Sequence, residues 1–229
     1  RGAGAKRVAG RWRRRGGLSR PFRSAQCPVL PAPGRTLRTQ GVAGARQGSF
    51  LRVYLRVIGE RYGLDEYVLY TDCDVMLIAD VVAELAPVRC HYFAVAAESE
   101  RASTMDINSG VMWMHLPALR ERQALFWDFI REQVDKLYSY SWDQGAYARF
   151  YLSEEGVPLW DTLPPELNWK PYWEPSPAAR LIHFHGPKPF QQPYIESHFP
   201  ELSHLAGPSF DELCVTWRES LAAANARTP

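Results

Sequence analysis

Tyr67-Val68-Leu69-Tyr70-Thr71-Asp72-Cys73-Asp74 is the stretch that decides how this chain is read. An apolar run of strand length ends on two carboxylates at i and i+2. In extended backbone, residues two apart point to the same side. Asp72 and Asp74 are therefore expected to converge on one hard divalent cation, Mn²⁺ or Mg²⁺. Such ions prefer oxygen ligands and often bridge protein to substrate phosphates. The plain alternative is a solvated turn after a strand, where Asp is common.

Around this stretch, apolar runs alternate with helical periods. Phe50–Tyr62 has Leu51, Tyr54, Leu55 and Ile58 at helical spacing, and Gly63 follows as a stop. Strands are expected at 75–78, 91–97, 110–116, 160–163 and 181–185. Helices are expected at 81–85, 117–137, 144–151 and 210–223. The stripe of the longest is Leu119, Leu125, Phe126, Phe129, Ile130 and Val134. Alternation of this kind predicts an α/β fold with a mixed, mainly parallel sheet flanked by helices.

Three more clusters stand beside apolar runs, where open α/β sheets bind their ligands. Leu181-Ile182-His183-Phe184-His185-Gly186-Pro187-Lys188-Pro189-Phe190 carries two imidazoles, a glycine and a lysine between prolines. A neutral His can ligate a metal, and Lys offers a point charge to phosphate. Gly186 permits close backbone approach. His183 and His185 share a face, so spacing does not choose between them. Met105-Asp106-Ile107-Asn108-Ser109-Gly110-Val111 reads as a polar turn before a strand, with Asp106 and Asn108 available to sugar hydroxyls. In Trp142-Asp143-Gln144-Gly145, Asp143 suits either a helix N-cap or, with Gln144, a substrate.

Composition divides the chain. Residues 1–50 carry twelve of the 27 Lys and Arg and none of the 25 Asp and Glu; the rest has 15 basic against 25 acidic residues, a net of −10. Residues 1–47 read as a basic, mostly disordered leader, 48–223 as the folded domain and 224–229 as a tail. The leader suits an anionic membrane surface; the acidic remainder argues against nucleic acid as the main partner. Cys27, Cys73, Cys90 and Cys214 form no CxxC pair, which argues against a zinc ribbon and favours a reducing compartment. No apolar run approaches the ~18 residues of a membrane-spanning helix.

In order and spacing, the motifs resemble the family 8 glycosyltransferases, the group of glycogenin and of lipopolysaccharide galactosyl- and glucosyltransferases. The resemblance runs from about residue 48 to 190. It rests on Arg52, Asp72-Cys73-Asp74, Asn108-Ser109-Gly110, Asp143-Gln144, Leu163-Pro164-Pro165-Glu166-Leu167-Asn168-Trp169 and His183 to Phe190. It implies a GT-A fold and retaining transfer of a hexose from a nucleotide diphosphate sugar, a UDP-sugar above all. The implied acceptors are a carbohydrate, lipid-linked or protein group.

It also implies that Asp72, Asp74 and His183 hold the metal. Lys188, Gly186, Asp72 and Arg52 would contact the donor, and Asn108, Asp143 and Gln144 would surround the transferred sugar. Gln144 is a poor nucleophile, so retention is expected through same-face attack.

Two positions depart from the family pattern. Phe190 stands where the family usually has Trp, and residues 1–47 do not resemble its first strand and helix, which carry much of the nucleobase pocket. A chain shortened at that end would serve instead as a binding module or partner subunit. The expected location is cytoplasmic, at a membrane surface through the leader, or the Golgi lumen should an anchor precede Arg1.

Overall fold

The computed structural model describes residues 47–226. The basic leader and Cys27 thus lie outside the described residues, apart from Gln47. A 3-10 segment, Gln47–Tyr54, runs into α1, Leu55–Tyr62, which stops at Gly63 in the left-handed conformation (φ 59°). Then follow β1 (Tyr67–Thr71), β2 (Val75–Leu77), the single helical turn α2 (Val82–Leu85), β3 (Phe93–Ala97) and β4 (Ile107–His115). The second half holds α3 (Leu116–Glu121), α4 (Gln123–Leu137), α5 (Asp143–Phe150), β5 (Asp161–Thr162), β6 (Leu181–His183), α6 (Ile195–His198) and α7 (Phe210–Asn225).

Strands β1-β4-β3-β5 form one sheet, and β2 pairs with β6 in a separate ribbon. The class is mixed α/β, as expected. The predominance of parallel pairs is not found among the described strands. Only β3 with β5 runs parallel; β1 with β4, β3 with β4 and β2 with β6 are antiparallel. The reason is connectivity. A parallel neighbour needs a crossover, usually helical, and β3 passes to β4 through the loop 98–106 alone.

Helices α1, α3, α4 and α5 cover a core around Phe93, Met112, Met114, Leu116, Phe126, Ile130, Tyr147 and Tyr151. A second cluster seats Ile182 and Phe184 against Phe210 and Cys214 of α7. The expected helix 117–137 is two helices, broken at Arg122. The break turns α4 about its axis, so Phe126, Ile130 and Leu137 are buried while Leu125 is 59% exposed.

Two features aim polar groups at one place. Asp72 N–H donates to Gly110 O (2.8 Å), so β1 continues its ladder with β4 for one residue. Phe184 N–H donates to Asp74 O (3.0 Å), which prolongs the β2–β6 ribbon. The chain changes sheets between the two aspartates, with a turn closed by Val75 N–H to Asp72 O. It is this turn, not continuous extended backbone, that brings Asp72 and Asp74 together.

On β4, the β3 register slips between Val95 (opposite Met112) and Ala96 (opposite Asn108). The irregularity leaves Ser109 and Gly110 free of that ladder, and bulges of this kind re-aim side chains beside sites.

Candidate metal and diphosphate site

Asp72, Asp74 and His183 come together at the mouth of the β2–β6 ribbon. One ligand atom from each lies within 4.8 Å of the others. Asp74 Oδ2 accepts from Lys188 Nζ (2.6 Å), and Lys188 is fixed by a second bond to Phe184 O (2.7 Å). Asp74 Oδ1 is buried and accepts no hydrogen bond, with His183 Nε2 3.4 Å away. Burial alone would raise the Asp74 carboxyl, but His183 and Lys188 hold it well below the usual carboxylate range. Burial lowers the His183 imidazole, against the pull of Asp74. Two carboxylates, one of them with an orphaned buried oxygen, and an imidazole make a donor set that fits a hard divalent cation.

Arg52 anchors the other side. It is 6% exposed and ion-pairs through Nε with Asp143 Oδ2 (2.5 Å) and through Nη2 with Asp72 Oδ1 (3.1 Å). Its Nη1 donates to Ser109 O, and the guanidinium lies 4.7 Å from the Tyr70 ring centre. Tyr70 Oη donates to Asp72 Oδ1 (2.6 Å), and burial raises this phenol so that it keeps its proton. Burial also lifts Asp143 to about 6, opposed by Arg52 and reinforced by Asp72. Asp143 does not act as an N-cap: it is the first residue of α5, buried against Arg52. Ser141 (φ 60°) and Trp142 (φ 56°) precede it in positive-φ backbone, which residues other than Gly rarely adopt. That kink turns Asp143 and Gln144 towards the carboxylates.

Gln144 Oε1 accepts from Ser109 N–H (2.9 Å) and Oγ (3.2 Å), and its Nε2 donates to Glu98 Oε2. Asn108 is buried in β4, not in a turn before it, and its Oδ1 accepts from Gly110 N–H (3.1 Å). Polar groups are tolerated inside this strand because each finds a partner. Gly110 makes room for the imidazole, since a Cβ there would lie 2.1 Å from His183 Cε1.

One cavity is lined by Arg52, Asp72, Asp74, Asn108, Asp143, Gln144, His183 and Lys188, all read from the sequence. Gly186 does not line it; a Cβ there would meet Leu205 at 2.4 Å, so this glycine serves chain packing. Asp106 also points elsewhere, accepting from Ser99 N–H (2.8 Å). Trp169 and Trp173 are buried in the core.

Among the lining groups, the sequence reading missed Glu98 and Ser141, and it gave His185 no role as a partner of Glu98. His185 Nε2 pairs with Glu98 Oε1 (3.0 Å), and Tyr172 Oη donates to Glu98 O (3.1 Å). The shared face of His183 and His185 was a signal for the role of His185. Glu98, alone after the apolar β3, gave none.

No protein-family model matches the chain, and no curated protein does. Solved structures match in fold. The glycosyltransferase GlyE of Streptococcus pneumoniae superposes with a TM-score of 0.52 at 14% identity, over 75% of this chain and 46% of that one. A glycosyltransferase involved in the glycosylation of the major capsid of PBCV-1 gives 0.51 at 18% identity, over 70% of this chain and 81% of that one. The chain thus spans just under half the length of GlyE. Its fold is the GT-A fold, the class to which these glycosyltransferase structures belong.

Proposed function

We propose that this chain is a metal-dependent, retaining family 8 glycosyltransferase that moves a hexose from a nucleotide diphosphate sugar, a UDP-sugar above all, to a carbohydrate, lipid-linked or protein acceptor. The observation that carries the reading is the approach of Asp72, Asp74 and His183 to within 4.8 Å, with Lys188 on the same carboxylate. On this reading those three residues hold Mn²⁺ or Mg²⁺, which supplies positive charge where the diphosphate departs. Lys188 adds a fixed ammonium at the same oxygens, and charge placed in advance costs no reorganisation when the bond breaks.

Arg52 pairs with Asp72 and Asp143 and orients both carboxylates. Asn108, Asp143 and Gln144 face the sugar. Gln144 is tied to Ser109 and Glu98, and an amide so held is a group for orientation, not a nucleophile. Same-face attack follows: the acceptor oxygen bonds the anomeric carbon as the carbon–diphosphate bond breaks, and the acceptor proton passes to the departing oxygen. A cytoplasmic location, at a membrane surface through the basic leader, accords with cysteines that are free among the described residues.

The test is thermal. A ligand specific to the native state raises Tm by mass action. UDP with Mn²⁺ is expected to raise the Tm of the parent chain, and Asp74→Ala and His183→Ala each to abolish that rise. A parent chain with no rise would defeat the donor-site reading. A rise without donor hydrolysis would leave a nucleotide-binding module in place of an enzyme.

A further inference from the structure

Asn168 belongs to the Leu163–Trp169 motif, yet no function has been given to it. It is fully buried (0% exposed) in a 3-10 turn whose end lies along β6: Trp169 N–H donates to Leu181 O, and His183 N–H donates to Trp169 O. Its amide sits between two site residues. One end is 2.8 Å from Asn108 Oδ1, the other 3.0 Å from His183 Nδ1.

The polarity of this chain of bonds is fixed at one end. Gly110 contributes a backbone N–H, which can only donate, so the Asn108 atom facing it is the oxygen Oδ1. An oxygen there requires the Asn168 atom opposite to be the Nδ2 donor. Asn168 then presents Oδ1 to His183, and an acceptor at 3.0 Å from Nδ1 requires Nδ1 to carry the proton. In the neutral ring the other nitrogen is bare. Nε2 is the nitrogen that faces Asp74.

We infer that Asn168 is a positioning residue that sets the tautomer of His183, holding the proton on Nδ1 so that the Nε2 lone pair is free for the divalent cation. The inference rests on the metal reading proposed above. A competitor makes the device necessary. Asp74 Oδ1 lies 3.4 Å from Nε2 and is otherwise without a hydrogen bond, so it would draw the proton onto Nε2. A proton there occupies the lone pair that a cation needs. Asn168 opposes that carboxylate from the other side of the ring, with its oxygen at 3.0 Å from Nδ1 against 3.4 Å from Nε2 to Asp74 Oδ1. Such partners behind a metal-binding imidazole change metal affinity by about 10- to 100-fold.

The first test needs no variant. Nitrogen-15 NMR of the metal-free parent chain, at a pH where His183 is neutral, should show the Nδ1–H form; an Nε2–H form would overturn the inference. The second reads Mn²⁺ alone, by loss of the free-ion electron paramagnetic resonance signal. Asn168→Leu should weaken Mn²⁺ binding by about 10- to 100-fold and move the His183 proton to Nε2. Asn168→Asp keeps an acceptor for Nδ1–H but sets an oxygen against Asn108 Oδ1, so it should recover part of the affinity and retain the Nδ1–H form.

Unchanged Mn²⁺ affinity in Asn168→Leu would overturn the inference. So would equal losses in both variants with Nδ1–H retained. A parent chain that shows Nδ1–H yet binds no Mn²⁺ would sink the metal reading while leaving the tautomer assignment standing.

Discussion

Lys170 is fully buried, and no carboxylate among the described residues pairs with it directly. Its Nζ donates to Ala97 O (3.1 Å) and Asn168 O (2.8 Å) and lies 4.9 Å from the Trp173 ring centre. Burial pushes the ammonium down to about 7, and Glu98 and Asp106 only partly oppose this. In the unfolded chain the group keeps its ordinary value of 10.5. Between these values the unfolded state binds more protons, so stability rises with pH from about 7 upwards. Denaturant titrations at pH 7 to 9 should show this rise, approaching about 1.4 kcal/mol per pH unit for one proton. Lys170→Met should flatten it; an unchanged slope would show that Lys170 is not its source. Gly110 makes a second case at this scale. A methyl group there would strike the His183 ring, with Cε1 at 2.1 Å. Gly110→Ala should cost about 1–3 kcal/mol, the range for overpacking, and abolish the Mn²⁺-dependent rise in Tm. A fully stable, Mn²⁺-responsive Gly110→Ala would refute that packing argument.

At the level of elements, the site depends on three local departures: the sheet change at Asp72–Asp74, the slipped register on β4 and the positive-φ pair before α5. Ser141 sits in the left-handed region (φ 60°, ψ 37°) at the close of the short turn Tyr138–Tyr140. A Cβ is penalised there and glycine is not. Ser141→Gly should therefore leave stability unchanged or raise it by up to ~1 kcal/mol, read as the denaturant midpoint, while the UDP–Mn²⁺ shift persists. A loss of stability would mean that the serine side chain, not the backbone, holds the kink. The strands were legible from their apolar runs, and α1 from its period and Gly63, because those signals are local. The start of β4 was not, since Asn108 and Ser109 read as turn residues. They are buried in a strand because partners 35 and 60 residues away, Gln144 and Asn168, satisfy them. Pairing direction was illegible for the same reason: it depends on which strand lies alongside, and period 2 does not encode that. The break at Arg122 likewise changed which residues of one stripe were buried.

For the whole molecule, the question is how an anion approaches an acidic folded region within a chain of net charge +2. Residues 51–229 carry a net −10. The cavity repeats the imbalance, with the carboxylates of Asp72, Asp74, Glu98 and Asp143 set against Arg52 and Lys188. Both cations are already engaged, Arg52 with Asp72 and Asp143 and Lys188 with Asp74. A nucleoside diphosphate therefore meets net negative charge, and in a partly buried site that repulsion is weakly screened. A divalent cation on Asp72 and Asp74 reverses the local sign. The two ligands should bind with positive coupling, and linkage requires each to raise the affinity of the other by the same factor. Calorimetric titration of UDP with and without Mn²⁺ should differ by at least about tenfold, which corresponds to ~1.4 kcal/mol of coupling. Equal UDP affinity with and without Mn²⁺ would mean that the diphosphate is held away from Asp72 and Asp74, and the cavity would then have to serve a ligand of different charge.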